Sequence, residues 1–160
     1  MAERLALYPG SFDPPTLGHL DILERARRLF DRVTVLVASE GKAGLLPVER
    51  RVELWRSCLA DQGNCEVESF SGLLVAQVEA RGAAAVVRGE RSARDYEHEW
   101  SLHGVNRTLL ADFETVWLPA RPELAAVSSS LVREVARLGG DLEGLVPAPV
   151  AAALAGGPAD

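Results

Sequence analysis

The sequence predicts one doubly wound α/β domain, a single five-stranded parallel sheet with helices on both faces, and three observations predict it. Five short, mostly apolar runs alternate with segments of helical period. Each run is only four to six residues long, as strands buried between two helical layers are. The chain of 160 residues, 48% of them hydrophobic, has the size that one domain with its own core takes, so residues 1–160 are expected to form that single domain.

The elements follow in order. Leu5–Tyr8 is the first strand, and Pro9-Gly10-Ser11-Phe12-Asp13-Pro14-Pro15-Thr16 is a Gly/Pro-punctuated loop into a helix from about Leu17, with Leu20, Leu23, Ala26 and Phe30 on one stripe. Val33–Ala38 is the second strand, followed by Ser39-Glu40-Gly41-Lys42-Ala43-Gly44 and a helix marked by Val52, Trp55 and Leu59. Cys65–Ser69 precedes a helix that carries Leu74 and Val78 and stops at Arg81-Gly82. Ala84–Val87 leads through Arg88-Gly89-Glu90-Arg91 into a long helix over about Ala93–Leu110. Thr115–Leu118 is the fifth strand; the later run Ser128-Ser129-Ser130 suits a helix N-terminus, and Gly139-Gly140 suits its end. A short last helix is expected near Pro149–Leu154, with an Ala/Gly/Pro-rich tail from about residue 155.

Composition narrows the function. With 17 basic and 23 acidic residues the formal charge is -6, which argues against a nucleic-acid or anionic-membrane surface. Two cysteines, Cys58 and Cys65, cannot build a disulfide framework or a four-ligand zinc site, and no residue spacing suggests a metal site. The N-terminus runs into the first strand with no apolar leader, and no long apolar stretch follows, so the chain reads as soluble and cytoplasmic. Arginine supplies every basic residue except Lys42.

Doubly wound sheets bind ligands outside the carboxyl ends of their strands, so the loops after the strands hold the candidate chemistry. The first offers Ser11 and His19 beside helix-start amides suited to an anion. The second offers Lys42 between glycines. The fourth offers Arg88 and Arg91, whose forks suit phosphate. The fifth offers the hydroxyls and amides of Ser128, Ser129 and Ser130. Together they describe a polyphosphate pocket on an acidic protein. A P-loop, a dinucleotide fingerprint, a nucleophile elbow and an H-E-x-x-H signature are all missing.

Thr16-Leu17-Gly18-His19 is similar to the small-x-Gly-His turn of the nucleotidylyltransferase superfamily. Pro9-Gly10-Ser11-Phe12-Asp13-Pro14, Lys42, Arg88-Gly89-x-Arg91, Asp95-Tyr96-Glu97-x-Glu99 and Val127-Ser128-Ser129-Ser130-Leu131-Val132-x-Glu134 then follow in the order of the bacterial phosphopantetheine adenylyltransferase family, which the chain resembles from about Leu5 to Leu154.

The resemblance implies a Rossmann-like nucleotidylyltransferase fold that transfers AMP from ATP to 4′-phosphopantetheine, with Mg2+, giving dephospho-CoA and pyrophosphate in coenzyme A biosynthesis, and a homohexamer. It implies that His19 holds the α-phosphate in the transition state, with Lys42 and Arg91 as its catalytic partners. Ser11, Lys42, Leu74 and Arg88 fall on acceptor-binding positions. Ser11, Phe12, His19, Gly89, Glu90, Arg91, Glu99 and the stretch Leu124, Ala125, Ala126, Val127, Ser128, Ser129 and Ser130 fall on ATP-binding positions. Glu90 stands where the family usually has an apolar residue and is expected to face solvent or pair with Arg94 or another cation; His103-Gly104 are expected to interrupt the fourth helix. Two other readings remain open at this point: a sister nucleotidylyltransferase with another phosphorylated acceptor, and a non-catalytic adenine-nucleotide sensor. Pyrophosphate release separates the sensor, and Thr16, Lys42 and the Ser128–Ser130 run argue against the sister enzymes, many of which carry His at the position of Thr16.

Overall fold

Five strands form one fully parallel sheet in a computed structural model that describes residues 3–39, 44–59 and 63–155. They are β1 (Leu5–Gly10), β2 (Arg32–Ala38), β3 (Cys65–Phe70), β4 (Ala85–Glu90) and β5 (Thr115–Pro119), in the spatial order β3-β2-β1-β4-β5. Sequence order therefore reverses direction between β1 and β4. The helices are α1 (Leu17–Leu29), α2 (Val48–Cys58), α3 (Leu74–Arg81), α4 (Ala93–Leu109), α5 (Ser129–Arg137) and α6 (Ala148–Ala155).

Side chains alternate across each strand, so the sheet has two apolar faces. Ala6 and Tyr8 of β1, with Val33, Val35 and Val37 of β2, meet Ile22, Leu23 and Ala26 of α1 and Val52 and Trp55 of α2. Leu5 and Leu7 point the other way, with Leu36 and Val86, onto Val75 and Val78 of α3 and onto Phe113. A third cluster joins Leu54 of α2 to Val132 of α5 and Val150 of α6, which folds the C-terminal helices over α2.

Local chemistry sets the helix ends. Thr16, Ser92 and Ser128 cap α1, α4 and α5 with side-chain acceptors, and Gly82 ends α3 at φ +59°, a left-handed geometry that costs glycine little.

Three expectations are corrected. β1 continues through Pro9-Gly10 and β4 through Arg88-Gly89-Glu90, because β2 and β5 supply partners as far as Gly10↔Val37 and Glu90↔Pro119. Pro9 has no N–H to give, and it sits where β1 has already lost β4, the two being paired only at Ala6↔Ala85 and Leu7↔Val86. β3 and β5 are not buried on both faces; as edge strands they are largely half-exposed. His103-Gly104 do not interrupt α4, which runs unbroken through them; His103 bonds to Thr115 Oγ1 at 3.0 Å and packs against Trp100 and Trp117.

Candidate active site

Where β1 and β4 part, a cleft of about 680 Å³ opens over their carboxyl ends. It is walled by the loop after β1, the start of α1, the first turns of α4 and the N-terminus of α5. Four arginines and two carboxylates line it, an excess of positive charge on a protein whose formal charge is -6.

The first wall is shaped by Gly10. A Cβ there would lie 2.8 Å from the Phe12 ring, so glycine leaves room for that ring to fold back under the strand end. Phe12 adopts φ +48° and is buried, its ring edge-on to Tyr8, Trp55 and His19 at centroid separations of 5.2, 5.0 and 5.0 Å. His19 is thus held from one side by Phe12. From the other it is held by Thr16, whose backbone N–H donates to Nδ1 at 3.1 Å while its Oγ1 accepts from the His19 N–H at 3.3 Å. Since Nδ1 is an acceptor, the neutral ring carries its proton on Nε2. Burial, then the Arg91 and Arg88 charges, push the His19 pKa down to about 4. The imidazole is therefore a neutral Nε2–H donor in the cleft.

Arg88 and Arg91 both line the cleft, Arg88 from within the last residues of β4 and Arg91 directly after it. Arg88 reaches Glu99 with two donors, Nε at 2.6 Å and Nη2, and spans the gap in the sheet with Nη1 on the Pro9 carbonyl at 3.0 Å. Arg91 lies 3.4 Å from Asp95 and donates to the Val127 carbonyl at 3.4 Å. Across the cleft, Ser128 spends its hydroxyl on the Leu131 N–H and Ser129 donates to the Pro14 carbonyl at 2.8 Å. Asp21 draws the segment before these serines onto α1 through Arg121 at 2.7 Å.

Sequence reasoning missed Arg133. It lines the cleft, donating to the Asp13 carbonyl at 2.6 Å and to Ser130 Oγ at 3.2 Å. Its one signal was position: it follows Ser130 by three residues, one turn along the same helix face. Arg94 and His98 also line the cleft from α4.

The structure gathers Ser11, Phe12, His19, Arg88, Gly89, Arg91, Glu99, Leu124, Val127, Ser128, Ser129 and Ser130 at this one place. Ala125 and Ala126 follow Leu124 but do not line it, and Leu74 packs against the core beneath α3 instead. Glu90 is half-exposed and forms no ion pair with Arg94 or another cation among the described residues, while one of its oxygens, Oε1, is buried with no hydrogen-bond partner among them. Burial first, then Glu99 and Asp95, raise its pKa. Lys42 lies outside the described residues. Cys58 and Cys65 are half-buried, and burial pushes both thiols up to about 11, away from nucleophilic character.

The profile of the cytidylyltransferase-like family matches residues 7–135. A phosphopantetheine adenylyltransferase of Thioalkalivibrio sulfidiphilus is 50% identical over 153 residues, covering 95% of this chain and 96% of that protein. One of Geotalea daltonii is 44% identical over 155 residues, covering 96% of each. Among solved structures, a Vibrio parahaemolyticus protein assigned as a nicotinate-nucleotide adenylyltransferase superposes with a TM-score of 0.68 at 17% identity, over 96% of this chain and 99% of that one, a likeness of fold.

Proposed function

The chain belongs to the cytidylyltransferase-like family and, within it, to the phosphopantetheine adenylyltransferases, and we propose that it transfers the adenylyl group of ATP to 4′-phosphopantetheine in the cleft between β1 and β4. A phosphate oxygen of the acceptor attacks the α-phosphorus, the bond to the β-phosphate oxygen breaks, and dephospho-CoA and pyrophosphate result. The nucleophile is already an anion, so no side chain has to remove a proton. The barrier lies in aligning two anions and stabilising charge at the α-phosphorus.

The observation that carries this reading is His19, held as a neutral Nε2–H donor between Phe12 and Thr16. A donor that is fixed and uncharged favours the transition state without binding every anion that enters. Arg91, Arg133 and the α5 amides receive the β- and γ-phosphates, with Ser11, Phe12, Gly89, Glu99 and the Leu124–Ser130 segment about the nucleotide. Arg88 and Lys42 take the acceptor phosphate. For Arg88 this requires the substrate to compete with, or to share, the Glu99 pair.

Mg2+ is part of the proposal. The donor set fits an ion carried by the nucleotide: Asp95 and Glu99, the cleft's carboxylates, are each engaged by an arginine, and Mg2+ is commonly bound through substrate phosphates. There it would screen the triphosphate charge. No helix among the described residues is long and apolar enough to cross a membrane, and a cytoplasmic enzyme with two free thiols is the proposed setting.

A homohexamer is proposed as well. Its support is α4, whose 17 residues include none that is buried and whose Trp100, Val105 and Leu109 stay more than half exposed.

Pyrophosphate release from ATP with a panel of phosphorylated acceptors tests the reaction. 4′-Phosphopantetheine should be the best substrate and pantetheine without its phosphate a very poor one. Equal turnover of the two would refute the acceptor phosphate as nucleophile.

A further inference from the structure

Arg51 is a charged residue of α2 that faces inward. It is 9% exposed and pairs with no carboxylate among the described residues. Its partners are three backbone carbonyls from three separate segments: Ser11 in the loop after β1, Ala38 at the end of β2 at 3.0 Å, and Leu46 before α2 at 3.1 Å. Burying a guanidinium without a counter-charge is costly, so what it holds matters.

The bond to Ser11 sets the direction of a peptide. The Ser11–Phe12 peptide is trans, so its C=O and N–H point opposite ways. With the Ser11 carbonyl turned inward to Arg51, the Phe12 N–H turns outward, on the side where Ser11 and Phe12 line the cleft. That N–H donates to no acceptor among the described residues. Phe12 also sits at φ +48°, a conformation that a non-glycine residue keeps only when its surroundings enforce it.

We propose that Arg51 is a positioning residue for adenylyl transfer, locking the Ser11–Phe12 peptide so that the Phe12 N–H is presented to a phosphate of the nucleotide. Neighbouring contacts serve the same end. Asp13, 5% exposed, accepts from the Leu45 and Leu46 N–H groups at 2.7 and 2.9 Å, so residue Leu46 is held through its N–H by Asp13 and through its C=O by Arg51. The loop after β1 and the chain entering α2 are thereby fixed to one another.

The proposal rests on the cleft's reading as an ATP site, and its test is chosen to fail separately from that reading. ATP and adenosine are titrated calorimetrically into the wild-type protein and into Arg51→Gln and Arg51→Lys. In Arg51→Gln, adenosine affinity should stay within about 2-fold of wild type, while ATP weakens about 10-fold and kcat falls about 10-fold or more, because an oriented donor to phosphate is misaligned. Arg51→Lys, which keeps the charge and can reach one or two of the carbonyls, should fall between. ATP and adenosine weakening in proportion would overturn the proposal, as would wild-type ATP affinity and kcat in Arg51→Gln. Failure of both variants to fold would also overturn it, by making the role purely structural. If the wild-type protein releases no pyrophosphate with 4′-phosphopantetheine, the functional reading fails while the comparison of ATP with adenosine still decides for Arg51.

Discussion

His19 shows how much of a site's chemistry is set behind the reacting face. Thr16 N–H fixes its tautomer, Phe12 fixes its plane, and burial with Arg91 and Arg88 keeps it neutral. In the free protein its imidazole should titrate near 4; a proton NMR titration with a His19 midpoint near the unperturbed 6.5 would contradict this. His19→Ala should lower kcat by about 10²–10³, the range for losing an oriented donor, with a smaller change in the ATP KM. Gly10 acts through Phe12. Gly10→Ala forces a methyl to within 2.8 Å of the ring, and crowding a packed aromatic cluster should cost about 1–3 kcal/mol, readable as a lower denaturation midpoint, with kcat falling as His19 loses its support. Unchanged stability in that variant would mean that the ring has somewhere else to go.

At the scale of elements, the site is made by helix starts. α1, α4 and α5 all begin at the cleft, each capped by a hydroxyl that accepts from a backbone N–H three residues on: Thr16 from His19, Ser92 from Asp95, Ser128 from Leu131. In α1 the Leu17 N–H is also taken, by the Leu145 carbonyl at 3.0 Å, which leaves the Gly18 N–H, with those of Ser129 and Ser130 in α5, free of acceptors among the described residues and available to an anion. Ser128→Ala should destabilise the protein by about 1 kcal/mol and weaken ATP, because the cap that orders α5 is lost. Calorimetry of ATP binding alongside urea denaturation separates the two effects. The strands contribute by ending their partnership: β1 and β4 stop pairing after Leu7, and Arg88 bridges the gap with a side-chain bond to Pro9.

For the whole molecule, the same His19 makes stability depend on pH. Its folded pKa, about 4, lies below the unfolded value of about 6.5, so the unfolded chain binds the proton more readily between them. The His19 contribution is fully present above about pH 6.5 and is lost as pH falls toward 4. Denaturant midpoints measured across that window should decline with acidity, and His19→Gln should flatten the decline. Assembly acts on the same scale: Trp100→Glu places a charge in the exposed aromatic face of α4 and should shift a homohexamer toward smaller species in sedimentation, whereas an unchanged mass would place the contact elsewhere.

Legible along the chain were the succession of five βα units, the strand ends, loops and helix starts that carry Ser11, His19, Arg88, Arg91 and the three serines, and the glycine stops at Gly82 and Gly139. Those signals are local, since periodicity, capping and turn chemistry are written within a few residues of where they act. Packing across the molecule settled that β1 and β4 part after Leu7, that α4 continues through His103-Gly104, and that Arg88 is held by Glu99. It also placed Arg133 against Asp13, 120 residues away, and buried Arg51 under Ser11, 40 residues away. In sequence both arginines look like solvated helix positions. Hydrophobic periodicity tells which side of a helix faces inward, but a buried cation is satisfied by carbonyls from distant segments, and folding alone brings those together.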